Sequence, residues 1–295
     1  MNYYNEIKTE IINNEITKKV KDYSKNRSDL NTYYNVGKLL SEAGKHYGEG
    51  IIKEYSKRLS KDLNKKYDIS TLNKMKKFYN LIKKMATLSP KLSYSHYVEL
   101  LSYNDMNKIN YYIKISEEQN LSVRELRARI KNNEYERLDD KTKEKLKENK
   151  INNEVTDYIK NPILINNKNN YNEISEKMLQ KIILEDIPSF LDELGTGFTF
   201  IRNEYKIKIG NRYNYIDLLL FNYEFNCFVV VELKVTELKK EHIGQIEVYM
   251  NYVDNNLRKV TQDKTIGIII CKKDNKFIIE YASDKRILFR EYQII

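Results

Sequence analysis

A chain of 295 residues is long enough for one large domain or two ordinary ones. With 41% hydrophobic residues it can bury a sizeable core, and three prolines and nine glycines exclude a collagenous or Pro-rich protein. Its 52 Lys/Arg outnumber 42 Asp/Glu for a formal charge of +10, and two cysteines, Cys227 and Cys271, exclude a disulfide framework or a zinc site built mainly from thiolates. No apolar run approaches the ~20 residues that span a bilayer, and the polar opening Met1-Asn-Tyr-Tyr-Asn-Glu6 lacks a signal peptide's apolar stretch. These features predict a soluble, cytoplasmic protein with no membrane partner.

The charge is unevenly spread. Residues 1–150 hold 32 basic and 21 acidic side chains, a net of +11, whereas residues 151–295 hold 20 and 21, a net of −1. The densest stretch, 53–84, has 11 basic residues, among them Lys74, Lys76 and Lys77, against Glu54, Asp62 and Asp68. Trp is absent, Tyr reaches 25, and Lys, Asn and Ile are common, a pattern of AT-rich codons that weakens lysine excess as a signal. Such a bias does not load one half alone, so the asymmetry predicts a polyanion-facing N-terminal domain.

In chain order, apolar residues recur at helical spacing at Ile7, Ile11, Ile12, Ile16 and Val20, then at Tyr33, Val36, Leu39 and Leu40. Gly44 and the pair Gly48 and Gly50 punctuate the next boundary. A helix is expected over 51–67, and another capped by Ser70 and running through Met75, Phe78 and Leu81 to a stop at Ser89-Pro90. Shorter helices are expected over 95–102, 105–118 and 123–135, the last opening on a Ser122-Val-Arg-Glu125 capping box. Residues 139–150 are almost entirely charged and 152–170 are Asn-rich. The expected division is therefore a helical domain, 1–140, a linker, 141–170, and a second domain, 171–295.

The second domain opens with helical spacing over 174–194, ending at Gly195. Strand-like runs follow at 198–209, 213–221 and 228–235, with turn chemistry at Gly210-Asn211 and at 222–224. A helix over 241–257, a strand over 265–271, and a final pair of β-like segments complete the order. The reading is α+β overall: an all-α N-terminal domain followed by an α/β mixed-sheet domain.

Asp217 sits in the apolar run Tyr215-Ile-Asp-Leu-Leu-Leu-Phe221, where an acid is costly without a partner or a metal. Glu232 and Lys234, two apart on the next strand, project to one face, and a hairpin across 222–226 would set Asp217 beside Glu232. Two carboxylates suit a hard cation, Mg²⁺ or Mn²⁺, and the ammonium can position or deprotonate a water or offset phosphate charge. Gln245, on the next helix, can orient that water or a ligand. The same spacing also suits a cross-strand ion pair of Lys234 with Asp217 or Glu232. Among the other polar residues, His46, His96 and His242 lie on different elements, with His96 expected to bond a helix end, and both cysteines are expected to be buried apolar residues. No phosphate-cradling ATP loop is present. Arg124, Arg127 and Arg129 are candidate phosphate contacts, with Arg124 and Arg127 on one face.

The acid on one strand and Glu-x-Lys on the next resemble the PD-(D/E)XK nuclease superfamily, and the wider chain resembles its YhcG-like family. The matching segments are Phe190-Leu-Asp-Glu-Leu-Gly195-Thr-Gly-Phe-Thr-Phe200, Tyr215–Phe221, Val231-Glu-Leu-Lys234, Gly244-Gln245 and Thr265-Ile-Gly-Ile-Ile-Ile-Cys-Lys272. In the first half they are Tyr33–Lys38, Tyr47-Gly48, Leu59–Leu63, Asn73–Tyr79, Leu92–His96 and Ser122–Leu126. Tyr34, Tyr47 and Tyr94 stand where that family often has Trp. The resemblance implies a restriction-endonuclease-like fold, metal-dependent phosphodiester cleavage, catalytic Asp217, Glu232, Lys234 and Gln245, and a metal held by Asp217, Glu232 and the Leu233 carbonyl. Many relatives carry a further acid on the preceding helix; here Gln180 aligns with it, and Glu176 lies one turn earlier. The expected partner is DNA, with RNA and a homo-oligomer left open. One rival reading is a catalytically silent nucleic-acid-binding or recombination-accessory protein, and a second is an interaction protein whose helical half docks a protein partner.

Overall fold

The computed structural model describes residues 3–20, 25–48, 50–85, 88–89, 91–147, 154–157, 159–280 and 282–295. The chain divides into two compact units, Met1–Tyr135 and Glu136–Ile295. Among the described residues no helix is long and apolar enough to cross a membrane.

The first unit is helical: α1 (Tyr3–Val20), α2 (Lys25–Tyr47), α3 (Ile51–Asp62), α4 (Ile69–Met85), α5 (Tyr94–Leu100), α6 (Met106–Glu118) and α7 (Val123–Lys131). Of the residues with helical spacing, Ile7, Ile11, Val36, Leu40, Leu59, Leu72 and Met75 form one buried apolar cluster, whereas Ile12 and Ile16 of α1 are exposed. Tyrosines fill the joints between helices. The Tyr94 ring lies 4.3 Å from Tyr33 and 5.2 Å from Phe78, centroid to centroid. α2 runs through Gly44 rather than breaking there. Asp68, not Ser70, caps α4, its Oδ1 accepting the Thr71 amide at 2.7 Å. The Ser122–Glu125 capping box opens α7 as expected. His96 joins a helix start to a neighbouring loop: its Nδ1 accepts the Ser93 amide at 3.1 Å, and its Nε2 lies 2.9 Å from the Leu121 carbonyl. Pro90, expected to stop a helix, lies outside the described residues.

The second unit contains α8 (Asp140–Lys147), β1 (Ile163–Ile165), α9 (Glu176–Glu185), α10 (Ile187–Leu194), β2 (Phe198–Ile209), β3 (Arg212–Asn222), β4 (Cys227–Glu237), α11 (Lys240–Asn256), β5 (Ile266–Lys273), α12 (Lys276–Glu280) and β6 (Ile287–Ile294). Six strands form one mixed sheet in the order β1-β6-β5-β4-β3-β2. β2, β3 and β4 are antiparallel neighbours, whereas β4, β5, β6 and β1 run parallel. Val229–Val231 and Ile268–Cys271 are fully buried, as central strands covered on both faces require. α9 and α10 cover one face, with Leu179, Ile183, Phe190 and Leu194 against Leu218, Val231 and Ile268. α11 covers the other, with Ile246, Met250 and Val253 against Leu219, Val230 and Ile269.

Three expectations change here. The helix over 174–194 is two helices, because Pro188 has no N–H to give and fits only the first turn of α10. The final pair of β-like segments is a short helix, α12, and one strand, β6; the side chain of Asn275 accepts the Ile278 amide at 3.3 Å and starts the turn. The described part of the segment read as a linker, 141–170, belongs to the second unit. Thr142 donates to the Asp157 carbonyl at 2.6 Å, Lys145 pairs with Asp157 at 2.8 Å, and Ile163 and Ile165 carry β1 into the core beside β6.

Candidate active site

The ladder between β3 and β4 joins 218–222 to 227–231 and stops at Leu218 opposite Val231. One step further along are Asp217 and Glu232. There β3 leaves β4, and the Leu233 amide, which a continued ladder would give to a β3 carbonyl, donates instead to Asp217 Oδ2 at 2.8 Å. A carboxylate thus replaces a backbone acceptor at the mouth of the split. A strand residue turns its N–H and C=O to the same edge, so the Leu233 carbonyl also faces this gap.

Glu232 is 1% exposed. Its Oε2 accepts from Lys234 Nζ at 3.2 Å, while Oε1 is buried without a hydrogen-bond partner. Burial, reinforced by the Asp217 charge, pushes the Glu232 carboxyl up to about 8 against the pull of Lys234. Burial also raises Asp217, opposed by the Leu233 amide and by Lys234. Burial alone would lower Lys234, but Glu232, Glu176 and Asp217 outweigh it and hold the ammonium charged. Glu176, on the first turn of α9, reaches Lys234 at 3.8 Å. Two acids and one lysine therefore converge, and Glu176 closes the cluster from the helix.

Gln180 comes one turn after Glu176 and is buried, and its Nε2 donates to the Asp217 carbonyl at 2.9 Å. Its amide nitrogen is thus committed to holding the strand that bears Asp217. Gln245 Nε2 donates to the Tyr249 hydroxyl at 3.1 Å on α11. Tyr249 was missed in the sequence although it lies four residues from Gln245, one helical turn along the same face. Burial raises its phenol, and Glu232 and Asp217 add to the rise. Cys227 and Cys271 are buried with thiols raised to about 11 and about 12 by desolvation, as expected of apolar packing residues.

Among the described residues no group of three or more His, Cys, Asp and Glu side chains could hold a metal. A divalent ion would instead have two carboxylates and the Leu233 carbonyl. That set suits Mg²⁺, which commonly keeps several waters and takes one or two carboxylates together with substrate phosphate oxygens. The unpartnered Glu232 Oε1 is the observation that fits a cation here, because a buried carboxylate oxygen with no donor is costly.

The candidate phosphate contacts fare unequally. Lys74 and Lys77 are exposed on α4, Lys76 is half-buried, and Arg124 is exposed on α7. Arg127 makes a two-pronged pair with Glu99, at 2.6 and 3.0 Å. Arg129 is 14% exposed and holds the buried Glu134 at 3.1 Å, to which Tyr111 also donates. Arg129 therefore braces the fold, and Arg127 would have to leave Glu99 to meet a phosphate.

Residues 156–295 match the YhcG PDDEXK nuclease domain, and residues 6–137 match the DUF1016 N-terminal domain. The chain belongs to the YhcG-like PDDEXK nuclease family. It is 24% identical over 294 residues to the "Putative nuclease YhcG" of Escherichia coli (strain K12), covering 85% of this chain and 78% of that one. Among solved structures, a repair endonuclease from Pyrococcus abyssi overlaps at 20% identity and a TM-score of 0.29, over 41% of this chain and 48% of that one. The EndoMS-dsDNA2 complex overlaps at 20% identity and a TM-score of 0.28, over 43% and 48%. Both overlaps span about half the length of those chains.

Proposed function

We propose that this YhcG-like protein is a metal-dependent nuclease that hydrolyses phosphodiester bonds in DNA, with Asp217, Glu232 and Lys234 as its catalytic centre. The observation that carries the reading is the buried Glu232 carboxylate, with one oxygen unpartnered, one step from the split that bares Asp217. Asp217, Glu232 and the Leu233 carbonyl would hold the ion. When bound, a divalent metal polarises a phosphodiester and lowers the pKa of a bound water. Lys234 offers a fixed positive charge where phosphate charge builds. Gln180 keeps the Asp217 backbone in place, and Gln245 with Tyr249 lines the α11 side. The helical unit supplies charge, since residues 1–135 carry a net +10 and residues 136–295 a net of zero. A cytoplasmic location suits two free, buried thiols.

The test is cleavage of duplex, single-stranded and branched DNA, and of RNA, with Mg²⁺ or Mn²⁺. Asp217→Asn, Glu232→Gln and Lys234→Ala should each lower cleavage at least ~100-fold, while DNA affinity in EDTA changes little. Gln245→Ala should be milder. Wild-type protein that binds these substrates and cleaves none of them with either ion would sink the reading. The catalytically silent binding protein would then stand, drawing on Gln180, which spends its amide on the Asp217 backbone where many relatives place an acid.

A further inference from the structure

The β2–β3 hairpin has two unlike halves. Its inner half belongs to the sheet, but among the described residues Tyr205–Ile209 and Arg212–Ile216 pair only with each other, because the ladder to β4 begins at Leu218. The outer half is a two-stranded ribbon closed by Gly210, whose φ of +58° suits a residue without a side chain. One face is anchored: Tyr205, Ile207 and Ile216 pack with Ile246, Tyr249 and Met250 of α11. The other carries the cross-strand pairs Lys206 with Tyr215 and Lys208 with Tyr213. Tyr213 and Tyr215 are 57% and 51% exposed, and the Lys206 ammonium lies 3.9 Å from the Tyr213 ring centroid. Arg202 adds an exposed cation further along β2, and Arg212, opposite Ile209 beside the turn, adds another at the tip. Among the described residues none of the four forms an ion pair. Between 202 and 212 the only acid is Glu204, in a unit whose net charge is zero.

We infer that this ribbon is the nuclease unit's own contact for duplex DNA, lying in the major groove and leading the backbone to Asp217. The inference rests on the nuclease reading above. Tyr215 is two residues from Asp217 and Tyr213 four, placing them about 7 and 13 Å along the strand from the carboxylate. That length covers about four base-pair steps of B-form DNA. The B-form major groove is about 12 Å wide and admits a two-stranded ribbon, whereas the A-form groove of duplex RNA is too narrow for side chains to read. Unpaired lysines and arginines match phosphates, and exposed tyrosines supply flat apolar faces between them.

The chain has no Trp, so one introduced indole reports a single place. The full-length Tyr213→Trp protein in EDTA, which prevents cleavage, is titrated with labelled duplex DNA while anisotropy follows binding. Tyr223→Trp, in the β3–β4 turn, serves as the control. The expected result is a saturable fluorescence change in the Tyr213→Trp protein that tracks binding, and none in the control. Unchanged fluorescence of Tyr213→Trp at full occupancy overturns the inference, as does an equal response to duplex RNA or to an acidic polypeptide. A second variant, Lys206→Ala/Lys208→Ala/Arg212→Ala, should lower kcat/KM at least tenfold and reduce the salt slope of binding by about two to three. An unchanged slope and kcat/KM in a folded variant overturn it. Cleavage absent while the indole of Tyr213→Trp responds defeats the nuclease reading and leaves the ribbon standing. Cleavage present while that indole stays silent defeats the ribbon alone.

Discussion

Glu232 keeps one carboxylate oxygen against Lys234 and leaves the other with no donor, inside a strand that is buried on both faces. In the metal-free protein that arrangement costs stability. The folded carboxyl is raised by burial to about 8, above its ordinary 4.5. The folded state therefore holds a proton that the unfolded chain has released between those values, and stability falls as pH rises through that window. Asp217, Lys234 and Glu176 all face the group, and the first works in the same direction as burial. Glu232→Gln should accordingly raise Tm in EDTA by roughly 3–8 °C at pH 8.5 and by much less at pH 5. Thermal scans at the two pH values check this, and equal melting of variant and wild type at pH 8.5 would count against a buried, under-partnered carboxylate. Added Mg²⁺ should stabilise the wild type and not the variant.

Among the elements, α2 and α4 meet backbone to backbone. A Cβ on Gly37 would run into the Met75 carbonyl and the Tyr79 Cβ. Alanine suits a helix interior better than glycine by about 1 kcal/mol, but overpacking a tight joint costs about 1–3 kcal/mol. The steric term should win because the obstacle is backbone and cannot rotate away. Gly37→Ala should thus lower Tm, and a rise on calorimetry would show that the two helices can separate at little cost. Elements with strong periodicity were legible in the sequence. The strands bearing Asp217 and Glu232 and helix α11 fall where alternation and spacing put them, because burial on the sheet faces sets both patterns. β1 was not legible, since three residues in an Asn-rich stretch carry no period and gain their strand geometry only from β6. The pairing of Glu232 and Lys234 followed from the two-residue repeat. The Asp217 bond to the Leu233 amide did not, because it depends on where two strands part. Arg129 reads from the sequence as a candidate phosphate contact, and its partner Glu134 lies beyond the end of α7 in a turn that periodicity does not describe.

At the scale of the whole molecule, the boundary after Tyr135 decides how the chain can be cut. A fragment starting at 171 lacks β1 and removes Ile159, Ile163 and Ile165 from the core of the second unit. It should aggregate, whereas 136–295 keeps the full sheet. With cuts at 135 and 136, the charge divides as +10 and zero. Residues 1–135 should bind duplex DNA with a steep salt dependence, log K falling by about 0.9 per phosphate neutralised for each tenfold rise in salt. Residues 136–295 should bind more weakly and with a shallower slope. Anisotropy titrations from low to moderate salt measure both, and equal affinities would show that bulk charge does not govern binding.

The hairpin that ends the sheet has one more consequence. β2 is the outermost strand and 12 residues long, and among the described residues no strand pairs with its outer edge, which leaves a row of amides and carbonyls open to a partner strand. Such an edge is a template on which a second copy can add its own strand and grow into an aggregate. Arg202, Lys206 and Lys208 lie along β2, and any copy aligning there would bring like charges together. The cations that suit this ribbon to a phosphate backbone thus also protect the protein from itself. Neutralising them should first be felt as lost solubility at high protein concentration.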